Sequence, residues 1–290
     1  MTRRRVSART LFQAHGRSFH GNHYVYPVLS RRAGGISIGA NLHRDGSCNF
    51  RCVYCQVDRP HAGLKEPIDF PRLADELDRT IELVASGRIY EDPAFCQTPE
   101  PLRRLNDIAL SGDGEPTVHP DFELVVDTCA EARSRRQLHE LKLVLITNAS
   151  MLHRERVRRA LETLDANHGE IWAKLDAGSE AYYQQMARTV VPFQQILDNL
   201  REAALVRPIV IQSLWMRIFE EVPPPAEPEA YCQRLHEIIT AGGRIKLVQI
   251  YTVARTPAES WVSPLAGAEL EAMAELVRRS TGLTVATFSG

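Results

Sequence analysis

Three cysteines, Cys48, Cys52 and Cys55, lie within eight residues in the segment CNFRCVYC. This C-x3-C-x2-C spacing places three thiolates on one short loop, where they suit a soft metal centre. A structural zinc site usually has four protein ligands. Three thiolates on a cubane iron–sulfur cluster instead leave one iron open to a small molecule. The spacing therefore favours a reactive iron–sulfur centre.

A zinc site is the main alternative, because His43 and His61 flank the cysteine segment and either could supply a fourth ligand. In that case the chain would be a zinc-stabilised, non-catalytic binding module. Zinc sites with C-x2-C usually have a second ligand pair further along the chain, but Cys96, Cys129 and Cys232 stand alone. Cys129 and Cys232 fall in predicted helices, where free cysteine is usually core filler. Cys96 falls in a loop, with no role assigned.

A second segment with chemical potential is the glycine-rich SGDGEPT of residues 111–117. Gly112 and Gly114 allow the backbone to approach a ligand closely. Asp113 and Glu115 offer carboxylates to a cationic amino group or to ribose hydroxyls. Without the cysteines, the same segment would read as an ordinary loop.

Together the two segments resemble the signatures of the radical S-adenosylmethionine (radical SAM) superfamily. Its cysteine motif is C-x3-C-x-aromatic-C, with Tyr54 in the aromatic position. Tyr54 could be a core aromatic residue or could border the adenine of the cofactor, and the neighbouring cysteines favour the second. Residues 112–115 resemble the segment that receives the methionyl amino group. The chain also resembles a bacterial branch related to the wyosine-synthesis enzymes of tRNA, at residues 24–31, 55–59, 174–177 and 249–255.

The resemblance implies a 4Fe-4S cluster on the three cysteines, with S-adenosylmethionine chelating the open iron. An electron donor such as flavodoxin or ferredoxin would drive cleavage of a carbon–sulfur bond, and the 5′-deoxyadenosyl radical would abstract hydrogen from an unidentified substrate. A tRNA-base modifier of the wyosine type is the alternative enzyme, with tRNA as its partner. The wyosine enzymes carry a second cluster whose cysteines precede the signature, whereas residues 1–47 contain no cysteine.

The order of apolar segments predicts an α/β fold. From residue 36 onward, a short β-branched run alternates six times with a segment of helical periodicity. Such units need right-handed crossovers and parallel strands, and six are too few to close an eight-stranded barrel. We expect a partial (β/α)6 parallel barrel, as the resemblance also implies, with a flat doubly wound sheet as the alternative. The predicted strands are 36–42, 107–110, 143–147, 171–175, 208–214 and 245–251, and the predicted helices are 70–85, 121–134, 154–167, 193–206, 229–241 and 268–280.

We interpret residues 36–290 as a single radical SAM partial-barrel domain. Residues 1–35 are predicted to be an N-terminal extension that wraps the open side of the barrel. Two proline-bearing segments, 91–106 and 222–228, are predicted to be irregular, and such loops at a catalytic face often act as lids or substrate walls.

Ligands of parallel sheets gather at the carboxyl ends of the strands. Asn148 directly follows a predicted strand, where it could bind the ribose or carboxylate of the cofactor or could form a turn. Lys174 and Asp176 alternate with apolar residues, so both should face the barrel interior. They could form a structural salt bridge or contact cofactor or substrate.

Four further residues lie on the last two predicted strands or just beyond them. Gln212 interrupts an apolar run where many superfamily members carry a glycine-containing adenine-binding pattern, and it is the candidate for that contact here. Gln249, Tyr251 and Arg255 lie at or beyond the end of the sixth strand, where substrate is expected. Tyr251 could equally be a packing residue, and Arg255 a surface charge.

Composition narrows the classes of partner. The formal net charge is −1 and the sequence pI is about 6.8, so no global positive field indicates nucleic acid or an anionic membrane. The local clusters Arg3–Arg5 and Arg31–Arg32 could touch phosphate or could be solvated surface charge. No apolar run approaches the ~18 residues needed to span a bilayer, and the basic start lacks a signal-type hydrophobic stretch. Six cysteines are too few for a disulfide scaffold, so a cytoplasmic protein without a membrane partner is predicted.

Overall fold

The computed structural model describes residues 17, 19–57 and 67–289. Its main element is an open eight-stranded sheet in which β1 (Val25–Ser30) pairs antiparallel with β2 (Gly35–Ala40). Six more strands follow β2 in parallel, in the spatial order β3 (Leu105–Leu110), β4 (Lys142–Thr147), β5 (Gly169–Lys174), β6 (Ile209–Leu214), β8 (Ile245–Tyr251) and β10 (Val285–Phe288). Two short strands, β7 (Met216–Ile218) and β9 (Val262–Pro264), form a separate antiparallel pair.

Each pair of consecutive parallel strands is joined by a helix that covers the outer face of the sheet. The connecting helices are α1 (Phe70–Ala85), α2 (Phe122–Arg135), α3 (Glu155–Ala166), α5 (Phe193–Val206), α6 (Ala226–Thr240) and α7 (Gly267–Thr281). An extra helix, α4 (Glu180–Ala187), precedes α5. Local chemistry sets these starts, as in α1, where the Asp69 side chain accepts a hydrogen bond from the Arg72 amide at 3.0 Å and a proline stands in the first turn.

Alternation along the strands separates two apolar layers. Ile108 and Leu110 of β3 join the large core between sheet and helices, while Ala109 points to the other face. Ala109 packs there with Val144 and Trp172 of the neighbouring strands in a small cluster inside the barrel. The inner face thus retains room for polar side chains.

The sheet is curled rather than flat. The Lys174 Nζ at the end of β5 donates to the Tyr251 Oη at the end of β8 over 2.8 Å, although β6 lies between these strands. Strands two places apart are separated by roughly 10 Å, which these two long side chains could also span in a flat sheet, so the contact between the sheet edges decides the shape. Arg31, in the turn between β1 and β2, donates to the Ser289 carbonyl just beyond β10, which joins the two edges of the sheet. The predicted half-barrel is confirmed, and the flat doubly wound alternative is wrong.

All six predicted β/α units are present, with strand ends shifted by up to two residues. The structure adds strands β1 and β10 and helix α4, which the periodicity did not indicate. Within the segment 91–106, residues Glu100–Leu102 form a short 3-10 turn and β3 begins at Leu105. Helix α6 begins at Ala226, inside the predicted loop 222–228, and β1 lies within the predicted extension 1–35. The domain boundary at residue 35 stays a prediction.

Among the described residues, no helix is both long and apolar enough to cross a membrane.

Candidate active site

A cavity of about 270 Å³ opens at the carboxyl ends of the strands, and we call it the cysteine cavity. Cys48, Cys52 and Cys55 line it, together with residues 112–115 that follow β3. A second space of about 250 Å³ lies inside the barrel between Asp107 and the strand ends, and we call it the interior cavity. The two share residues of their linings, including Gly112, Gly114, Tyr251 and Arg255, so they meet at these residues.

The loop that carries the cysteines is fixed by backbone contacts with the end of α4. The Arg51 and Val53 amides donate to the Ala187 and Met186 carbonyls, each over 3.0 Å. The Cys55 amide donates to the Cys52 carbonyl at 3.0 Å, which closes a tight turn. The shape of the loop is therefore set by a helix that the sequence did not reveal.

The three cysteines are partly buried, and none of them forms a disulfide bond within the described part of the chain. Burial raises the pKa of the Cys52 thiol to about 12, and the charge of Lys174 opposes that rise only in part. Such a sulfur needs a bound cation to stay ionised. In the described ranges no group of three or more His, Cys, Asp or Glu side chains could already hold a metal ion. A cubane takes each thiolate at a different iron, so its ligands need not converge on a single point.

The histidine proposed as a fourth zinc ligand lies elsewhere. His43 is buried against the ring of His119, with 5.1 Å between centroids, and lines a separate pocket with Asp121. The described residues that line the cysteine cavity include no histidine. His61 lies outside the described residues.

The glycines of residues 112–115 are required by packing against the loop that leads to Cys48. A β-carbon on Gly112 would collide with the Asn41 side chain, and one on Gly114 would collide with the Ser47 carbonyl. From the sequence, the missing side chains were expected to make room for a ligand. In the structure they make room for the Asn41 side chain and the Ser47 carbonyl. The glycines thus bring the two ligand-bearing segments into contact.

Glu115 clamps this segment to the end of β4. Its carboxylate is 3% exposed and accepts hydrogen bonds from the Thr117 hydroxyl, the Thr147 hydroxyl and the Asn148 amide, each over 2.6 Å. Burial raises the pKa of Glu115, and these hydrogen bonds partly oppose the rise. The carboxylate predicted to meet a cationic cofactor group is occupied by its own neighbours, although Glu115 does line the cavity.

Asp113 and Asn148 are also tied to the protein. Asp113 accepts from the Asn41 amide group at 2.6 Å and pairs with Arg17. The Asn148 oxygen accepts from the Ser150 amide at 3.0 Å, which is the turn alternative, while its nitrogen donates to Asn49 of the cysteine loop at 2.8 Å. Both residues line the cysteine cavity, as predicted, and both also position its walls.

Lys174 and Asp176 face the cavity and form an ion pair, which was one of the two alternatives considered for them. Lys174 Nζ lies 3.1 Å from Asp176 Oδ2, and Asp176 also accepts from the Leu214 amide at 2.7 Å and from the Tyr54 hydroxyl. Burial by itself would lower the pKa of Lys174, but Asp176 and Tyr251 raise it above the ordinary value. The ammonium therefore stays charged beside the cysteine loop, 4.7 Å from the centroid of the Tyr54 ring.

Gln212 and Gln249 were both predicted to contact a ligand, but only Gln212 lines the cysteine cavity. Gln212 Nε2 donates to Gln249 Oε1 over 2.7 Å, and Gln249 is 2% exposed. Gln249 faces Gln212 rather than the cavity, so its assignment to the substrate is not supported by its position. Gln212 lines the cysteine cavity, and its Oε1 is buried without a hydrogen-bond partner in the structure. Tyr251 and Arg255 line both cavities, and their assignment to the substrate stays a prediction.

Comparison with protein families decides the class. The family model described as the Radical SAM superfamily matches residues 46–211, more than half of the 290 residues. The chain belongs to the radical SAM superfamily. The matched range includes the three cysteines, the glycine-rich segment and the Lys174–Asp176 pair. The predicted enzyme class is therefore confirmed, and the non-catalytic zinc module is not supported.

Known proteins share parts of this radical SAM chain. A protein named GTPase Obg from Brachyspira hyodysenteriae is 23% identical over 255 residues, which cover 84% of this chain and 32% of that protein. The UPF0026 protein MJ1312 from Methanocaldococcus jannaschii is 28% identical over 187 residues, covering 62% of this chain and 47% of that protein. The chain thus spans less than half the length of these curated relatives.

A solved structure shows the same radical SAM fold. The structure of TYW1 with a lysine-pyruvate adduct bound superposes with a TM-score of 0.50 and 14% sequence identity. The superposition covers 85% of this chain and 74% of that chain. At this identity the likeness concerns the fold.

Several residues that position this radical SAM site were not predicted from the sequence. Asn41, which packs on Gly112 and holds Asp113, directly follows β2, and that strand-end position was the available signal. Thr147, which holds Glu115, ends β4 in the same way. The α4 contact with the cysteine loop left no signal, because α4 is only eight residues long.

Proposed function

We propose that this radical SAM enzyme binds a 4Fe-4S cluster through Cys48, Cys52 and Cys55, cleaves S-adenosylmethionine reductively and removes hydrogen from a substrate. The observation that carries the proposal is the shared cavity, where the three thiols meet residues 112–115 at the carboxyl ends of the strands. Side-chain acids and bases do not generate radicals, so the cluster with its bound sulfonium would supply that chemistry.

The residues present fit such a cofactor. Thiolates are the ligands that iron–sulfur clusters use. The buried Gln212 Oε1 lacks a hydrogen-bond donor in the structure, and an adenine amino group would supply one. Apolar side chains complete the wall and would keep water from a radical, namely Phe50, Met186, Phe193 and Ile196.

The test compares two cysteine substitutions after anaerobic reconstitution with ferrous iron and sulfide. We expect Cys52→Ala to lose the bound iron and sulfide and all 5′-deoxyadenosine formation, because one corner of the cluster loses its ligand. Cys96→Ala serves as the matched control, since Cys96 is exposed and lies outside both cavities. Metal and sulfide analysis and chromatography of the nucleoside products provide the measurements.

The fold of Cys52→Ala is expected to persist, because backbone bonds to α4 hold the loop, and circular dichroism checks this. Full 5′-deoxyadenosine formation by this variant would contradict the proposal. Wild-type protein that binds zinc without sulfide would contradict it as well.

A tRNA-base modifier remains the second candidate because TYW1 shares this fold. The solved TYW1 structure has a lysine-pyruvate adduct bound. Lys174, which lines the cysteine cavity here, forms an ion pair with Asp176 and donates a hydrogen bond to Tyr251. A charged, ion-paired amine is a poor nucleophile, so we assign no such adduct to Lys174. Association of the enzyme with bulk tRNA at low ionic strength, lost as salt rises, would favour this candidate.

A further inference from the structure

The interior cavity concentrates positive charge. Four arginines contribute to its lining, Arg17, Arg31, Arg32 and Arg255, and within the described residues Asp107 is the single carboxylate among them. Asp107 accepts a hydrogen bond from Ser37 on the neighbouring strand. The whole chain carries a formal net charge of −1, so this excess of cations is local.

Two of these arginines are tied to other parts of the protein. Arg17 pairs with Asp113 at the border of the two cavities, and Arg31 donates to the Ser289 carbonyl beyond β10. Both residues therefore help to hold parts of the fold together. Arg17 keeps further N–H groups, because a guanidinium has five donors.

Arg32 and Arg255 are different. Arg255 Nε donates to the neutral Gln56 Oε1 at 3.2 Å, and Arg32 lies over the Tyr251 ring with 5.0 Å to its centroid. Within the described part of the chain, neither has a carboxylate within ion-pair distance. Both are partly buried. The charge of Arg32 also acts on Asp107 across the cavity, but no ion pair among the described residues uses its N–H groups, and Arg255 keeps its two Nη groups, so both guanidinium groups can still donate to an anion.

The charges of these residues act on one another. Burial lowers the pKa of Arg255, and the nearby charges of Arg17 and Arg32 lower it further. Guanidinium groups that repel one another across a cavity would be stabilised by an anion placed between them.

We propose that the interior cavity binds an anionic group of the substrate, a carboxylate or a phosphate ester, through Arg32 and Arg255, with Arg17 at its border. This inference rests on the proposed function and adds the substrate class. An anion held there would direct the rest of a small molecule past Gly112 and Tyr251 towards the cysteine cavity, since both cavities share these residues. A volume of about 250 Å³ suits a small acid or phosphate ester rather than an RNA helix.

The experiment titrates inorganic phosphate and succinate into the cluster-free protein at constant ionic strength, with binding followed by calorimetry. Trp172 lies 6.0 Å from Arg32, so tryptophan fluorescence gives a second readout. We expect Arg32→Gln to weaken anion binding about tenfold or more, because one charge-assisted pair is lost. Arg32→Lys should keep part of the affinity. Arg201→Gln is the matched control, since Arg201 lies on α5 and pairs only locally with Asp198.

The two anions distinguish the sources: tighter phosphate binding indicates a phosphate ester, and tighter succinate binding a carboxylate. The inference is wrong if neither anion binds the wild-type protein, or if Arg32→Gln and Arg255→Gln both bind as tightly as Arg201→Gln. It is also wrong if Arg32→Gln chiefly weakens S-adenosylmethionine binding in the reconstituted enzyme. Thermal melts exclude misfolding of the variants.

Failure of the proposed function would look different. If the wild-type protein binds an anion through Arg32 but assembles no cluster, the anion subsite is supported and the proposed radical chemistry is wrong. If the enzyme forms 5′-deoxyadenosine but binds neither anion, the radical chemistry is supported and the anion subsite is wrong.

Discussion

Each end of β5 places a carboxylate beside lysine, two lysines in the case of Glu170 and one in the case of Asp176, and the surroundings of the two carboxylates differ. Near the start of the strand, Glu170 Oε1 lies 2.8 Å from Lys142 Nζ and 2.5 Å from Lys246 Nζ. Just past the end of the strand, Asp176 Oδ2 lies 3.1 Å from Lys174 Nζ. The chemistry of the pairs is the same, but their surroundings differ.

Glu170 contributes to neither cavity, and its partners reach solvent, with 38% of the Lys142 side chain and 54% of the Lys246 side chain exposed. Asp176 and Lys174 both line the cysteine cavity, and Asp176 also holds Tyr54 of the cysteine motif. Buried charge alone therefore does not mark a functional site. A charge network marks one where it faces a cavity and touches the residues that bind the ligand.

The largest effect that tests this contrast is expected from Asp176→Asn. The substitution leaves the Lys174 ammonium buried without its counter-ion, which costs about 3–5 kcal/mol of unfolding free energy. Asparagine has one acceptor oxygen, so either the Leu214 amide or the Tyr54 hydroxyl also loses its acceptor, and 5′-deoxyadenosine formation should fall far more than in Glu170→Gln. Urea unfolding and single-turnover product analysis measure the two effects. If Asp176→Asn loses stability but keeps the rate of cofactor cleavage, the two ends of β5 are equivalent and the contrast fails.

A smaller effect is expected from Glu170→Gln, about 1–2 kcal/mol of unfolding free energy, because the two lysines lose one shared and partly exposed partner. Cofactor cleavage should be unchanged at temperatures where the variant is folded.

The pH dependence of Glu170→Gln has a definite sign. Burial opposes ionisation of Glu170, but hydrogen bonds from Lys142, Lys246 and Trp172 outweigh it and lower its pKa to about 2. The stabilisation is therefore present above the ordinary value of 4.5 and is lost as pH falls towards about 2. The difference in unfolding free energy between wild type and Glu170→Gln should shrink over that interval. A difference that does not change with pH would contradict the ion-pair explanation.

The smallest effect is expected from Asp107→Asn, and it has the opposite sign. Burial raises the pKa of Asp107 to about 6, while the Ser37 hydrogen bond opposes the rise. The folded state therefore holds this proton more tightly than the unfolded chain, and the carboxylate costs stability as pH rises from 3.8 through about 6. Above that pH, Asp107→Asn should be more stable than wild type by roughly 1 kcal/mol. Thermal melts on both sides of the transition measure it, and a destabilised variant at neutral pH would contradict it.

Much of the fold could be predicted because β/α alternation leaves a strong periodic signal. The six strand and helix pairs were found to within a few residues, and the curled sheet was the expected arrangement. Elements without a covering helix or a long apolar stripe were missed. Helix α4 has only eight residues, and β10 has only four.

The candidate site was predicted best where residue type and spacing are both restrictive. Cys48, Cys52 and Cys55 share one cavity, whereas Gln249, chosen for its strand-end position alone, lies behind Gln212. Sequence position indicates the strand end, but the curl of the sheet decides which side chains reach the cavity. Arg32 shows the same limit, since the sequence indicated a cluster that could touch phosphate or be surface charge, and only the fold shows that the turn between β1 and β2 brings Arg32 to the interior cavity.

The attachment of the cysteine loop to α4 bears on how the enzyme would recover after oxidative damage to its cluster. Oxygen destroys exposed iron–sulfur clusters, and proteins whose ligand loops are shaped by the metal lose their binding geometry with it. Here two main-chain amides, those of Arg51 and Val53, bind the loop to the helix terminus, and these hydrogen bonds do not involve the thiols. We expect damaged molecules to accept a replacement cluster without refolding, so that repair consumes iron and sulfide rather than new protein.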